Sequence, residues 1–311
     1  MLKTVSILCP VYNESENVED FFLEFNKCTL PYRDRYQFNY IFVDNNSEDD
    51  TCEKIKSLGL INKNITLIKY SRNFGYMKSI YTGFINSPDD ACVIFDCDLQ
   101  DPPSLLLDFL HYWEGGFKVV YGKRITRVES SLFSAFRKAY RRIENSIKGY
   151  QVQLETGSWF LDRCVIEELK KTKFDPYLPG LITRLGFKSK GVPYDRGIRK
   201  RGTSKVNYPH YFSYARDGLV SGNITPLRLA SIFGFLFSAT SFLLVFYIVI
   251  AKLYLGAPFA SGVAFTITIV LFSFGINFLI LGVIGEYIGR IYLERELTQP
   301  AIIEEIYRSQ D

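Results

Sequence analysis

The sequence predicts an α/β domain with a mostly parallel sheet, followed by a two-helix transmembrane hairpin. Over the first half of the chain, short β-rich runs alternate with helix-like segments, which is typical of βαβ units. Two uncharged apolar stretches follow, with 23 residues between Arg228 and Lys252 and 33 between Lys252 and Glu286. Because about 20 apolar residues span a bilayer as a helix, these stretches can hold two spans and a short loop.

The predicted elements of the first half follow in order. The strands are Thr4–Cys9, Phe38–Val43, Ile65–Lys69, Ala91–Phe95 and Lys118–Tyr121, and the helices lie near 15–27, 49–57, 76–86 and 103–114. In such a sheet, ligands bind at the carboxyl ends of the strands. We therefore expect the functional site where four strands run into polar segments. Those segments are Pro10–Glu14, Asp44–Ser47, Ser71–Asn73 and Asp96–Asp98.

The pattern changes beyond residue 125. Apolar residues recur at helical spacing near 131–148, interleaved with five basic residues. Such a helix suits a membrane interface or a surface that covers the core, and the nearby hairpin favours the interface. We predict a cytoplasmic domain over 1–205 that includes this helix, then a juxtamembrane helix, the two-span hairpin and a cytoplasmic tail. The last three cover 206–226, 227–290 and 291–311.

Charge and cysteine usage indicate the orientation in the membrane. Arg216 and Arg228 precede the first apolar stretch, Arg290 and Arg295 follow the second, and the loop at 255–261 carries no charge. The positive-inside rule then places both termini in the cytoplasm of a multi-pass plasma (inner) membrane protein. The chain starts with a strand-like segment rather than a signal peptide. Its six cysteines form no C-x-x-C pair, which fits reduced thiols.

Two carboxylates, Asp96 and Asp98, follow a buried strand and predict a divalent-cation site. Burying them is costly without a compensating positive charge, and hard oxygen ligands favour Mg²⁺ or Mn²⁺. Gln100 supplies a further oxygen, and the ion would hold a diphosphate group. A D-x-D pair alone is common by chance, whereas the whole segment Asp96–Pro103 is far more specific. Within it, Asp101 is predicted to cap the following helix.

These segments together resemble family 2 glycosyltransferases with the GT-A fold, and more narrowly dolichol-phosphate mannose synthases and bacterial polyprenyl-phosphate glycosyltransferases. The resemblance covers nearly the whole chain. The matching segments are Val5–Glu14, Phe42–Asp44, Ser71–Gly75, Asp96–Pro103, Val192–Arg196, Gly202–Lys205 and Gly282–Arg290. The resemblance implies that Asp98 and Gln100 hold the metal beside the diphosphate. It implies a nucleotide site formed by Pro10, Tyr12, Glu14, Asp44, Arg72 and Asp96.

Several of these roles have alternatives. Glu14 also fits a helix cap, and Arg72 also fits a turn. Seven basic residues between 188 and 205 could bind phosphates in the site or anionic lipid head groups. By resemblance, the phosphate or lipid-phosphate candidates are Arg196, Arg199, Ser204 and Lys205.

Two positions depart from the family pattern. Asn45 stands where relatives often have a second aspartate, so we expect a secondary contact to change while Asp44 remains. Ser158 stands where many relatives have the aspartate assigned as the catalytic base. Glu155 is close enough to substitute, and it fits equally a loop carboxylate in water. The candidates for catalysis are therefore Asp98, Glu155 and Ser158.

The resemblance implies inverting transfer of one sugar from a nucleotide-diphosphate sugar, with UDP expected, to a polyprenyl phosphate such as undecaprenyl phosphate. A phosphate monoester has a second pKa near 6, so this acceptor needs no general base. The alternatives are a transferase acting on a hydroxyl of a lipid-linked saccharide and an inactive nucleotide-sugar-binding scaffold. The expected partners are the nucleotide sugar, the lipid, the membrane and further copies of the chain in a homo-oligomer, and no nucleic acid.

Overall fold

The computed structural model describes most of the chain as two compact units. One unit comprises Met1–Ser221 with Thr298–Asp311, and the other comprises Gly222–Leu297. The described residues are 2–125, 142, 158–172, 177–197, 232–236, 239, 240, 243, 246, 247, 250, 254, 262–297 and 301–309. The amphipathic helix expected near 131–148, apart from residue 142, and the juxtamembrane helix expected over 206–226 lie outside them.

Within the described residues, eight strands form one sheet, and most of the helices lie between them in the chain. In chain order the elements are β1 (Lys3–Val11), α1 (Val18–Thr29), β2 (Tyr36–Asp44), α2 (Thr51–Ile61), β3 (Ile65–Tyr70), α3 (Tyr76–Asn86), β4 (Ala91–Ile94), α4 (Leu105–Glu114), β5 (Val119–Arg124), β6 (Trp159–Asp162), α5 (Arg163–Lys171), α6 (Leu178–Arg184), β7 (Ser189–Tyr194), α7 (Val263–Leu297) and β8 (Ile303–Arg308). The strand order is β7-β5-β6-β4-β1-β2-β3-β8.

The centre of the sheet is parallel, which confirms the predicted α/β class. The four strands β4, β1, β2 and β3 run in one direction, and β5 pairs in parallel with β7. Strand β6 lies antiparallel between β4 and β5. The five predicted strands and four predicted helices all exist, with ends within four residues of those expected. The carboxyl ends of β1, β2, β3 and β4 therefore meet at one edge.

Helices cover both faces of the sheet. In β1, Val5 and Ile7 pack in the cluster that contains α1, α2 and α4, whereas Leu8 packs in the cluster with α3, α5 and α6. This alternation follows from the two-residue period of a strand. Helix α3 approaches β1 closely at Gly83, where a Cβ atom would come within 2.2 Å of the Leu8 side chain. A packed core on each face of the sheet thus supports the strands whose polar ends form the edge.

The last strand, β8, returns to the sheet after the long helix α7. It pairs antiparallel with β3, and Lys56 forms a 2.8 Å ion pair with Glu305. Tyr307 lies against Gly59, where an added Cβ would meet its ring at 2.7 Å. Strand β8 covers the edge of β3, which would otherwise present unpaired backbone groups. The tail expected over 291–311 therefore contains the end of a helix and one strand of the sheet.

The second unit contains α7, a helix of 35 residues. In the described part of the chain, one segment is long and apolar enough to cross a membrane, Phe272–Gly289, with a mean hydropathy of 1.5. Its large apolar side chains Phe272 and Phe278 are exposed. The first expected span lies largely outside the described residues. Its described helical segment 232–236 approaches α7, since a Cβ on Gly234 would lie 3.1 Å from Ile280.

Asp162 joins α5 to the sheet through a network of hydrogen bonds. Its carboxylate accepts bonds from the Cys164 amide at 3.0 Å, the Trp113 indole at 2.7 Å and the Lys118 ammonium at 2.8 Å. Burial alone would raise the pKa of Asp162, but the bonds from Cys164, Lys118 and Trp113 outweigh it and lower the pKa to about 2. The ionised form therefore stabilises the fold.

Replacing Asp162 with Asn is expected to lower the free energy of unfolding by about 2 kcal/mol at pH 7, since one pKa unit corresponds to about 1.4 kcal/mol. The folded pKa lies below the unfolded value, so this contribution is complete above about pH 4 and is lost as the pH falls towards 2. Denaturant unfolding at several pH values measures it. Asp34→Asn, at an exposed carboxylate, is the control. Equal stability of both variants at pH 7 would contradict the prediction.

Candidate active site

The loops after β1 and β2 are bound to each other at the carboxyl edge of the sheet. The Asn13 amide donates to Ser47 Oγ at 2.9 Å, and the Glu48 amide donates to Asn13 Oδ1 at 2.8 Å. Asn13 and Asn46 both have positive φ angles, of 52° and 65°, a conformation that asparagine tolerates better than most residues. These hydrogen bonds therefore hold the two loops against each other.

The structure places the predicted nucleotide-binding residues of the first two strands along this edge. Pro10 lies in β1 and is buried, and the half-buried Tyr12 directly follows the strand. Asp44 ends β2 and is fully buried, and its carboxylate accepts a 3.0 Å bond from the Ser47 amide. Glu14 accepts a 2.6 Å bond from the side-chain amide of Asn17, the N-cap residue of α1.

Asn45 links the loop after β2 to the loop after β3. Its side-chain amide donates to Asn73 Oδ1 at 2.9 Å, and its Oδ1 accepts from the Phe74 amide at 2.8 Å. A carboxylate could not donate to Asn73, so the two asparagines form a matched pair. Arg72 lies over the Phe74 ring, with its guanidinium carbon 4.1 Å from the ring centroid. The positive φ of 94° at Gly75 then turns the chain into α3.

Tyr76 is a site residue that the sequence prediction missed. It is the first residue of α3, and its hydroxyl donates to Asp96 Oδ1 at 2.5 Å. Its ring remains partly open to solvent. The sequence offers one signal for Tyr76: it directly follows Ser71–Gly75, one of the segments that match the family pattern.

Asp96 and Asp98 lie together beneath the guanidinium of Arg196. Arg196 Nη2 is 3.8 Å from Asp96 Oδ2 and 4.0 Å from Asp98 Oδ2. Between the acidic pair and Gln100, the backbone of Leu99 has a positive φ of 53°, which is uncommon for a residue of this type. The structure thus brings Arg196 to the two carboxylates, and its binding of phosphate stays a prediction.

The environment of Asp96 disfavours its ionised form. Desolvation at the base of the site raises the pKa of Asp96 to about 6, although a quarter of its side chain is accessible. The bond from Tyr76 opposes this shift, and the charges of Asp98 and Asp101 add to it. A divalent cation beside the carboxylates would favour the ionised form.

The donor set suits Mg²⁺ or Mn²⁺ when substrate phosphate completes the coordination. Among the described residues, no group of three or more His, Cys, Asp or Glu side chains could hold a metal ion by itself. Mg²⁺ typically binds one or two carboxylates together with water and substrate phosphates. Asp98, with Asp96 and Gln100 beside it, matches that requirement.

Asp101 does not cap α4, because the N-cap residue is Ser104 and the helix begins at Leu105. Its carboxylate instead accepts bonds from Ser158 Oγ at 2.5 Å and the Tyr194 hydroxyl at 2.7 Å. Asp101 and Tyr194 are therefore further residues that the prediction did not place in the site. The bond between them joins residues that are 93 positions apart in the sequence.

Ser158 is fully buried, and its hydroxyl is used to donate to Asp101. Its role in catalysis, which the sequence analysis predicts, stays a prediction. The remaining candidates, Glu155, Arg199, Ser204 and Lys205, lie outside the described residues.

Comparison with known proteins adds four findings. Residues 6–169 match the description "Glycosyl transferase family 2". An uncharacterized glycosyltransferase YkcC of Bacillus subtilis is 33% identical over 97% of this chain and 94% of the relative. A bactoprenol glucosyl transferase of Shigella phage SfII is 27% identical over 98% of each chain. A glucosyl-3-phosphoglycerate synthase of Mycobacterium tuberculosis, solved with Mn²⁺ and UDP, is 18% identical over 69% of this chain and 76% of that one, with a TM-score of 0.49.

Proposed function

Because the chain belongs to glycosyl transferase family 2, we propose that it transfers one sugar from a nucleotide-diphosphate sugar, with UDP expected, to a polyprenyl phosphate such as undecaprenyl phosphate. The product is a lipid-linked sugar for glycosylation of the cell envelope. The observation that carries this proposal is the acidic pair Asp96 and Asp98 beneath Arg196, at the edge where the strand-end loops meet. The similarity to bactoprenol glucosyl transferases over 98% of the chain supports the lipid acceptor.

In this proposal the catalytic domain is of the GT-A type, and the strand-end loops bind the nucleotide. Its binding residues are Pro10, Tyr12, Glu14, Asp44, Arg72 and Asp96. Asp44 is buried and hydrogen-bonded, so its carboxylate is held rigidly at the end of β2. There it can accept hydrogen bonds from the nucleotide. Arg72, stacked on Phe74, lies on the loop that Asn45 holds in place.

Asp98 and Gln100 would hold the Mg²⁺ or Mn²⁺ ion. When bound, the ion neutralises charge on the leaving diphosphate. The phosphates of donor and lipid are bound by Arg196, together with Arg199, Ser204 and Lys205. Arginine suits this role because its planar guanidinium binds phosphate oxygens in a bidentate way.

The proposed reaction inverts the anomeric configuration. An oxygen of the lipid phosphate attacks the anomeric carbon from the side opposite the diphosphate. The bond from that carbon to the lipid phosphate forms as its bond to the diphosphate breaks, and the nucleoside diphosphate leaves. Because a phosphate monoester is largely dianionic at neutral pH, no proton has to be removed from the lipid acceptor. Position 158 therefore needs no basic side chain, and the Ser158 hydroxyl can donate its hydrogen bond to Asp101.

The membrane part of the proposal is a two-span hairpin at the plasma (inner) membrane, with both termini cytoplasmic. The exposed apolar side chains of Phe272–Gly289 support one span. The strand β8 supports a second, because both segments that flank Gly222–Leu297 belong to the same unit. A chain that leaves and returns to one side must cross an even number of times. Association into a homo-oligomer completes the proposal, with α7 glycines such as Gly282 allowing close helix packing.

The direct test incubates the purified full chain with undecaprenyl phosphate, Mn²⁺ or Mg²⁺ and a panel of UDP- and GDP-sugars. Mass spectrometry of the lipid fraction is expected to show one added sugar with at least one donor. Metal-dependent nucleotide binding without product from any donor would overturn the proposal in favour of a scaffold. Product only from an already glycosylated lipid would indicate a hydroxyl acceptor.

Glu155→Gln separates the two acceptor classes. If the acceptor is a phosphate, turnover is expected to stay within about twofold of wild type, because no general base is needed. A hydroxyl acceptor would make the same variant lose about 100-fold, the typical contribution of a general base. The measurement is the initial rate with undecaprenyl phosphate at pH 7.5 or so, where the acceptor is largely dianionic.

A further inference from the structure

Asp101 is a buried carboxylate next to the proposed metal site. Only 1% of its side chain is exposed. Besides the bonds from Ser158 and Tyr194, its Oδ1 lies 3.4 Å from Arg196 Nε and 3.9 Å from Arg124 Nη2. A buried carboxylate is costly unless donors and cations surround it, and here it has two of each.

The four partners of Asp101 lie at or next to the ends of three adjacent strands, β5, β6 and β7. Arg124 ends β5, Ser158 directly precedes β6, Tyr194 ends β7 and Arg196 follows it. Asp101 itself belongs to the loop after β4, which also carries the acidic pair. One carboxylate therefore connects the β7-β5-β6 part of the sheet to the loop that holds the proposed metal ligands.

The contact with Arg196 determines how its guanidinium faces the site. Asp101 lies nearest to Nε, whereas Nη2 points to the acidic pair, 3.8 Å from Asp96 and 4.0 Å from Asp98. Arg196 Nε is buried and makes no hydrogen bond, so this ion pair is what opposes its charge from the inner side. Without it, the guanidinium could rotate away from the place where a diphosphate would lie.

We propose that Asp101 is the positioning residue for Arg196, holding the guanidinium at its Nε so that its Nη atoms face the donor diphosphate. This inference rests on the proposed function. It also gives Ser158 a role: its neutral hydroxyl bonds to Asp101 without a second charge. A carboxylate at 158 would place two anions in contact, and one of them would bind a proton.

The test measures UDP and GDP binding in Mn²⁺ by isothermal titration of the full chain in detergent. Asp101→Asn is expected to weaken binding of the preferred nucleotide by roughly tenfold, within the range of coupling between residues of one ion-pair network. Arg196→Gln should weaken it at least as much. If Asp101 acts through Arg196, the double variant binds no more weakly than Arg196→Gln alone. Effects that multiply would overturn the proposal.

A matched control separates positioning from simple stabilisation. Asp89 is also a buried carboxylate, with bonds from Ser6 Oγ at 2.5 Å and Asn39 Nδ2 at 2.9 Å, but it lies near the opposite ends of the strands, in the segment before β4. Asp89→Asn is expected to lower the unfolding temperature while leaving nucleotide affinity unchanged. If Asp101→Asn behaves in the same way, its role is structural and the proposal fails.

A milder variant covers the case in which Asp101→Asn does not fold. Tyr194→Phe keeps the ring and removes the hydroxyl that donates to Asp101; it is expected to weaken nucleotide binding about two- to fivefold. Unchanged affinity in this variant would count against the proposal. Coupling between Asp101 and Arg196 without any lipid product would refute the proposed acceptor and leave the positioning role standing. Lipid product from the wild type, together with an unchanged nucleotide affinity in Asp101→Asn, would refute the positioning role and leave the proposed acceptor standing.

Discussion

Asp98→Asn is expected to reduce sugar transfer by about 100- to 1000-fold, the range found when one electrostatic contact to a developing anion is removed. Asparagine has the same shape but lacks the charge that a divalent cation requires. The backbone bond from Gln100 to the Asp98 side chain, 3.2 Å long, can be kept by the amide oxygen. We therefore expect the loss to come from chemistry rather than folding.

Initial rates at saturating Mn²⁺, with thermal unfolding in parallel, provide the measurement. Raising Mn²⁺ further should recover part of the activity, because weaker metal binding is one component of the defect. Glu155→Gln is assayed in parallel for comparison, because transfer to a phosphate acceptor does not require the Glu155 carboxylate. Wild-type turnover in Asp98→Asn would show that the acidic pair is not the metal site.

Removal of residues 298–311 is expected to lower the unfolding temperature by roughly 10 °C, a shift that corresponds to several kcal/mol for a domain of this size. The truncation exposes the edge of β3 and removes Tyr307 from its place against Gly59. It also frees Ser71, whose amide donates to the Ile302 carbonyl at 3.1 Å. Because Ser71 begins the loop that carries Arg72 and Asn73, sugar transfer should fall with stability.

A peptide spanning 298–311, added to the truncated protein, should restore part of both properties by pairing with β3. The control is Glu304→Gln with Glu305→Gln, which removes two exposed ion pairs to Lys69 and Lys56 and should cost little. An unchanged unfolding temperature in the truncated chain would show that β8 contributes no stability.

The parallel centre of the sheet could be predicted because its signals are local. Each strand from β1 to β5 is a short apolar run followed by polar residues, and α3 was predicted over the same residues that it occupies, 76–86. Strand-end chemistry then identified Asp44, Asp96 and Asp98. Periodicity and strand ends are properties of neighbouring residues, so a single sequence displays them.

The features that escaped prediction depend on distant pairings. Strand β6 has four residues and pairs with β4, with Asp162 opposite Ala91. Strand β8 contains three charged residues among six, which hides its alternating pattern. The Asp101 carboxylate joins residues from three other strand ends, and its local sequence, followed by two prolines, resembled a helix cap. Only the fold distinguishes these uses of the same residue types.

The strand β8 also has a consequence for biosynthesis. Its partner β3 is made early, but β8 itself emerges from the ribosome only after the whole of α7, so the sheet stays one strand short until the apolar segments have been synthesised. Non-local pairings of this kind form late in folding, and the uncovered edge is prone to aggregate in the meantime. Completion of the sheet would thus follow synthesis of α7, and a chain stalled before α7 would carry an incomplete domain.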